Sequence, residues 1–404
     1  MAGGTYDVIV VGARCAGSPT AMLLAKKGYD VLVVDRDTFP SDTISTHVVH
    51  PMGVAALARW GLLDAVVASG CPPIHTYAFD FGPFVLEGAP GTPESPVAYT
   101  PRRTVLDAIL VGGAADAGAV VREGFTVDEV LVDDGRVTGI RGHGSDGVEV
   151  TERARLVIGA DGRHSTIARA VDAPRYNERP KLLCGYYSYW SGLPMDGRFE
   201  TYARDRRGFA AAPTNDDLTM VVGGWPFAER EANKGDIEGS YLRIFEQAPE
   251  FNERLRSAKR ETPVVGTAVP NYFRKPYGPG WALVGDAGYN RDFITAQGIT
   301  DAFRDAERCA TAVDEALSST RSFDEAMTAY QEERDARVLP IFELTQQIAS
   351  LEPPPPELQQ ILGAVVGNQE ATDRYIQVNA GTISPTEFFS EENVGRIFAA
   401  AEPG

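Results

Sequence analysis

The run Tyr6-Asp7-Val8-Ile9-Val10-Val11-Gly12-Ala13-Arg14-Cys15-Ala16-Gly17 decides the fold. Tyr6 to Val11 is a β-branched, apolar stretch that stops at a glycine, which reads as a buried strand ending in a tight turn. A helical pattern follows from Ser18 through Leu23, Leu24 and Lys27, with Gly28 placed as its C′ stop. Val31 to Val34 is a second buried strand, and Asp35 closes it 23 residues beyond Gly12. Strand, glycine turn, helix, strand and acid in that order make a βαβ unit of parallel sheet.

In a G-x-G-x-x-G turn the first glycine bends the chain, the second admits a pyrophosphate and the third lets the helix pack on the strand. Gly12 and Gly17 hold the first and third places, and Arg14 stands in the second. Phosphates are expected at the helix start near Cys15, where free N–H groups and the helix dipole favour anions. Asp35 is expected to accept from ribose hydroxyls. The plainer alternative is a structural βαβ turn without ligand. Arg14 has two readings of its own: turned outward to solvent, or folded over the pyrophosphate.

Working outward, Arg103 to Ala117 reads as a helix with Leu106, Ile109 and Leu110 on one face. Strand-like stretches flank the turn Asp133-Asp134-Gly135, and Ala154 to Ile158 leads into Gly159-Ala160-Asp161-Gly162. From about Lys181 to Pro270 the pattern becomes aromatic and alternating (Tyr186-Tyr187-Ser188-Tyr189-Trp190, then Leu218 to Val222), as in an antiparallel sheet. Trp281 to Val284 returns to buried-strand composition before Gly285-Asp286. The expected architecture is α/β: a discontinuous Rossmann-like dinucleotide domain of the glutathione-reductase type (1–75, 98–178 and 275–345), an inserted mixed or antiparallel sheet domain (76–97 and 179–274), and a helical C-terminus (346–404). Pro353 to Pro356 reads as a stiff break, and Ser384-Pro385-Thr386-Glu387 has the form of a capping box with proline at N1.

The 404 residues carry 38 basic and 56 acidic side chains, a formal charge of −18. Nucleic acid and anionic membranes, which demand positive surface, are therefore not expected as partners. Cys15, Cys71, Cys184 and Cys309 are far apart, so neither disulfides nor a metal site is expected. The absence of a leader pattern or a membrane-length apolar run points to a cytoplasmic monomer or homodimer acting on a small molecule.

Three further segments separate FAD from NAD by resemblance. Arg102-Arg103-Thr104-Val105-Leu106-Asp107 matches an R-x-x-L helix start, Gly159 to Ser165 matches a DG motif, and Gly285-Asp286-Ala287 with Ala296-Gln297-Gly298-Ile299 matches a GD motif and its following turn. In these the chain resembles the flavoprotein monooxygenases of the p-hydroxybenzoate hydroxylase fold, over nearly its whole length to about residue 345. The resemblance implies FAD held by Gly12, Ala13, Arg14, Ala16, Gly17, Asp35, Arg36, Arg103, Val127, Asp161, Gly162, Asp286, Gln297, Gly298 and Ile299. It implies that Arg103 meets the phosphate or ribose region, that Asp286 meets the ribityl chain, and that the Gly298 and Ile299 N–H groups meet the flavin N1–C2=O edge. The chain departs from the family at Phe293, where a proline is usual, at Ala296, where a glycine is usual, and at Ala168-Arg169, where the arginine is shifted.

The chemistry implied is reduction of FAD by NAD(P)H, addition of O2 at C4a, and oxygen transfer from the hydroperoxide to an aromatic or polycyclic substrate. The candidates for proton handling and for shaping the reacting face are His47, with His50 beside it, Tyr187 and Phe293; Tyr189, Tyr202, Arg204 and Trp225 are expected around the substrate. His47 could equally be a loop residue satisfied by backbone, and the aromatic strand a core strand. Three rivals remain. A halogenase would carry WxWxIP, which is absent. A geranylgeranyl-reductase-like enzyme would carry YxWxFP, which is not met, although Cys184 precedes an aromatic run. A non-redox binding module would have no need of Asp35, Asp161 and Asp286 together.

Overall fold

The structure is a computed structural model and describes residues 4–401. Thr5–Val11 lies at the centre of a parallel sheet, between Val31–Val34 (Val10 beside Val33) and Glu149–Gly159 (Val10 beside Ile158), with Val120–Arg122 and Trp281–Leu283 outside them. Successive side chains of a strand point to opposite faces. Val8 and Val10 accordingly enter one apolar core and Ile9 and Val11 another, which is why the run contains no polar alternation. Helices Gly17–Lys26, Arg103–Asp116 and Gly298–Leu317 cover the first face; the hairpin Thr126–Asp133/Arg136–His143 and helix Thr166–Ala170 cover the second. Each fully buried valine or isoleucine contributes on the order of 1.5–3 kcal/mol. Gly28, at φ +91°, takes the left-handed conformation that ends the first helix.

The inserted sheet is mixed. Leu183–Ser191 pairs antiparallel with Leu218–Pro226, followed by Arg207–Pro213 and Arg198–Arg204; the last runs parallel to Thr76–Asp80, which pairs with Val85–Gly88. One face lies under helices Ile237–Phe245 and Pro249–Arg256, with Cys184, Trp190, Phe209 and Trp225 packed on Tyr241, Phe245 and Phe251. On the other face Tyr187, Tyr189 and Met220 form a small cluster toward the first domain. Farther along, Tyr77, Phe79 and Phe199 are covered by the C-terminal helices through Leu362, Val365, Tyr375 and Phe388.

Those helices begin with the long Phe323–Ala349, whose N-terminus carries a true capping box between Ser322 and Glu325. The box expected at Ser384 does not form. Pro385 does stand at N1, but Ser384 Oγ pairs with Thr386 Oγ1 at 2.6 Å and leaves the backbone uncapped.

A three-stranded sheet (Arg175–Arg179, Asn271–Arg274, Tyr289–Asn290) joins the domains, with Phe273 stacked between Tyr176 and Tyr289. Arg334, whose side chain is fully buried, fastens the long helix to it by donating to Tyr176 Oη (2.7 Å) and the Arg274 carbonyl (3.0 Å), with Asp335 as counter-ion. Replacing Arg334 by leucine would strand these acceptors, so Arg334→Leu is expected to cost about 3–5 kcal/mol in a urea unfolding titration. A loss below about 1 kcal/mol would show that the joint is dispensable.

Candidate active site

The strand Thr5–Val11 delivers the chain to Gly12 at φ +101°, where a Cβ would sit 2.5 Å from the Ala160 carbonyl oxygen. A Cβ on Gly17 would overlap the Gly12 carbonyl. Neither position admits a side chain, so the first turn of helix Gly17–Lys26 closes directly on the strand end. No side chain caps that helix; Ser18 N turns back to the Arg14 carbonyl and Pro19 has no N–H, so in the first turn the Gly17 N–H is the one left for an anion. Asp35 fixes the turn by accepting from Ala13 N (2.7 Å) and Asp37 N (2.9 Å).

Arg14 does not turn to solvent, and its guanidinium is not free to cover a pyrophosphate. It donates to Asp107 (2.5 Å), Asp37 (2.8 Å) and Ser41. Burial works against its charge, but Asp37 and Asp107 raise it above the ordinary arginine value. Arg103 forks onto the same Asp107 at 2.9–3.1 Å, one turn along its own helix. A cation at a helix N-terminus is tolerated here because its counter-ion sits at i+4. Asp107 was not singled out from the sequence; its i+4 spacing from Arg103 was the available signal.

On the opposite wall, Asp161 Oδ2 accepts from Thr166 N (2.6 Å), while Oδ1 is buried with no protein partner. Burial raises the Asp161 carboxyl, with Ser165 and the helix N–H groups opposing. The Asp286 carbonyl accepts from Asn290 Nδ2 at 2.6 Å, while its carboxylate is solvent-accessible and makes no hydrogen bond to another described residue. Burial raises it too, against the fields of Arg103 and Arg163. At Gly298 the space where a Cβ would stand is empty, and helix Gly298–Leu317 has no side-chain cap. Gln297 offers only backbone there, because its side chain is held by Arg291 (2.8 Å) and the Asn379 carbonyl (2.6 Å). Ile299 is buried in the core below. A cleft of about 750 Å³ lined by Arg36, Asp37, Gly124 and Thr126 opens beyond the second strand; Val127 beside it packs inward. An orphaned carboxylate oxygen, two uncapped helix starts and glycine-only approaches are the requirements of a dinucleotide with an anionic middle and hydroxyl-bearing ends. These residues fit FAD.

The profile of the FAD binding domain family matches residues 5–345. The chain belongs to that family. It is 27% identical to digeranylgeranylglycerophospholipid reductase 1 of Methanopyrus kandleri, over 86% of this chain and 91% of the relative. It is 24% identical to the 1H-pyrrole-2-carbonyl-[peptidyl-carrier protein] brominase of Pseudoalteromonas luteoviolacea, over 78% of each. In solved structures the fold recurs in the myxobacterial halogenase CndH (23% identity, TM-score 0.80, 98% and 97% of the two chains). The fold is that of p-hydroxybenzoate hydroxylase, and the protein is a flavin-dependent oxidoreductase of this family, its subtype left open by relatives of different chemistries.

The residues expected around the substrate separate. Tyr187, Tyr189 and Phe293 share the sheet face turned to the first domain; a Cβ on Gly185 would collide with the tip of the Phe293 ring, so the ring closes directly on the strand at that point. Tyr202 and Trp225 are corrected to the far face: Tyr202 stacks on Phe209 at 4.2 Å and Trp225 on Tyr186 at 4.7 Å. Arg204 is corrected to an edge clamp on Asp80 and the Gln247 carbonyl. His50 is likewise consumed by structure, bound to Tyr77 Oη (2.7 Å) and the Thr295 carbonyl (3.1 Å).

His47 is fully buried in a left-handed conformation, φ 63°. Its Nδ1 faces the Ser45 carbonyl at 2.8 Å, which can only accept, so Nδ1 carries the proton and Nε2 accepts from Tyr189 Oη at 2.7 Å. Tyr187 stands edge-on to His47 at 5.6 Å, and Arg102 covers the Tyr189 ring at 5.0 Å. Burial, then the Arg103 field, pushes the His47 pKa down to about 3, while burial raises both tyrosines.

Two outcomes follow. Asp286→Ala should weaken FAD binding about tenfold or more, read by fluorescence titration of apoprotein; unchanged affinity would remove Asp286 from the cofactor site. His47 is 6.5 when unfolded and about 3 when folded, so the unfolded chain binds the extra proton between these values. Its contribution therefore makes stability fall as pH drops through that window. The melting temperature should decline less from pH 7 to pH 5 in His47→Gln than in the parent; parallel declines would refute the assignment.

Proposed function

We propose that the protein is an NAD(P)H- and O2-dependent FAD monooxygenase of an aromatic or polycyclic small molecule. The observation that carries this reading is the His47–Tyr189–Tyr187 group beside Phe293 on the sheet face that meets the first domain. FAD, when bound, supplies the redox chemistry; the chain's own residues bind, orient and exclude water. Both tyrosines are raised by burial and keep their protons, so they act as hydrogen-bond donors. Tyr189 spends its proton on His47, which leaves the Tyr187 hydroxyl as the group suited to a substrate oxygen. Phe293 offers an apolar wall beside it. A planar ring bearing a hydroxyl or carbonyl suits such a wall; a hydrocarbon chain would leave the donor unmatched.

Reduction by NAD(P)H draws support from charge. Arg36, Arg163, Arg169 and Lys181 all act on His164 at the DG segment, and none makes an ion pair within the described residues. On a chain of net charge −18 such a gathering suits the phosphates of a passing dinucleotide.

The second reading is reduction of an alkene without oxygen, favoured by similarity to digeranylgeranylglycerophospholipid reductase over most of both chains. Oxidation of NAD(P)H with a metabolite panel, in air and under nitrogen, separates the two. Monooxygenation requires oxygen consumption and a product gaining one oxygen atom. Turnover under nitrogen with a product gaining two hydrogens would overturn it in favour of the reductase.

A further inference from the structure

Helix Gly298–Leu317 turns one stripe toward Gly285 and the cofactor residues, through Ala302 and Asp305, and another away from them. The second stripe floors a groove of about 390 Å³ walled by helices Pro51–Trp60 and Phe323–Ala349. This falls within the range of about 300–1,000 Å³ common for small-molecule sites. The floor is apolar: Phe303, Ala312, Ala326 and Tyr330 are each no more than 5% exposed.

The rim is charged and uneven, with five arginines against three glutamates. Arg59 forks onto Glu307, Arg308 pairs with Glu333, and Arg321 pairs with Glu315 at 3.0 Å. Arg304 reaches back to Asp301 at 3.1 Å. The Arg337 guanidinium has neither an ion pair nor a hydrogen bond among the described residues, and it stands in the fields of Arg304 and Arg308. Partial burial, then those two arginines, lowers it to about 10 against the field of Asp301, so it remains charged at neutral pH; the residue is exposed to solvent. A solvent-facing cation with no ion pair of its own, beside two other arginines and above an apolar floor, is complementary to an anion with an apolar body.

We propose that this groove binds a small amphiphilic carboxylate, its apolar body on Phe303 and Tyr330 and its carboxylate on Arg337. The site is separate from the cofactor cleft and does not depend on the reaction assigned above. It is wired to the cofactor end of the helix. Thr300, in the groove wall, accepts from His50 N at 3.1 Å, and Asp301, which holds Arg304, also pairs with buried Arg291, whose guanidinium fixes Gln297 beside Gly298. A carboxylate that draws Arg304 toward Arg337 would loosen Arg304 from Asp301, so occupancy is expected to be felt at the flavin.

The test is calorimetric titration of FAD-loaded protein with octanoate, alongside the flavin absorption spectrum. Saturable binding of one octanoate per chain is expected, with a small change in the flavin band and little binding of octanol. Arg337→Gln removes the cation and Ala329→Trp fills the groove; each should weaken octanoate about tenfold. Both should keep the parent's flavin content and melting temperature, and Arg136→Gln, on a distant hairpin, should change nothing. The proposal is overturned by absence of saturation, by octanol binding equally well, or by unchanged affinity in both groove variants. It is also overturned if light scattering finds a dimer that Ala329→Trp dissociates, because a second copy of the chain would then be the occupant.

Discussion

A carboxylate with no access to water has to be neutralised where it stands, and Asp107 is such a group, with its side chain fully buried. It is shared by Arg14 from the glycine turn and Arg103 from its own helix, and it also accepts from the Cys15 thiol. Arg14 carries the connection on to Asp37 and Ser41. One buried charge thus sets the distance between the turn, the helix Arg103–Asp116 and the loop after the second strand. Such clusters add little net stability, because desolvation offsets attraction, but removing one member leaves an uncompensated ion. Their consequence is geometric. Arg103, held by Asp107, is also the largest field opposing burial at Asp286, so the same ion bears on both segments expected to meet the cofactor.

The βαβ unit was legible from the sequence because its requirements are local. A strand buried on both faces must be an unbroken apolar run, and at Gly17 the turn excludes a side chain for a reason contained within six residues, the Gly12 carbonyl; at Gly12 the positive φ marks the glycine locally, although the atom a Cβ would strike belongs to Ala160. The fate of Arg14 was not legible in the same way: its partner lies 93 residues away, and nothing in the spacing of the turn announces it. The capping box at Ser384 shows the reverse error. A local pattern was complete, yet Ser384 Oγ found Thr386 Oγ1 in place of the backbone.

The inserted sheet shows why the faces of separate strands could not be matched from composition. Period-two alternation discriminates only when one face is polar, and the strand Leu183–Ser191 is aromatic on both. Tyr186 and Trp190 lie under the helices Ile237–Phe245 and Pro249–Arg256, whereas Tyr187 and Tyr189 meet His47. Trp225 pairs with Cys184 across the ladder and so shares its face, a consequence of register that composition does not contain. The left-handed backbone of His47 was equally hidden, since its placement is enforced by Ser45 and Tyr189.

The two departures from the family pattern at the flavin edge can be weighed physically. Ala296 stands where a glycine is usual and still adopts φ 52°, ψ 23°, a conformation that costs a non-glycine residue about 1–2 kcal/mol. Such strain persists only where surroundings over-determine it. Here they do: His50 holds the Thr295 carbonyl, Arg291 and Asn379 hold Gln297, and the Ala296 methyl is buried against the C-terminal core. The backbone path into Gly298 is therefore kept, and with it the open approach to the uncapped helix start. Phe293, in the proline's place, is directed the other way, onto Gly185 of the inserted sheet. The first departure keeps the start of helix Gly298–Leu317 open at an energetic cost, and the second places an aromatic ring against the inserted sheet.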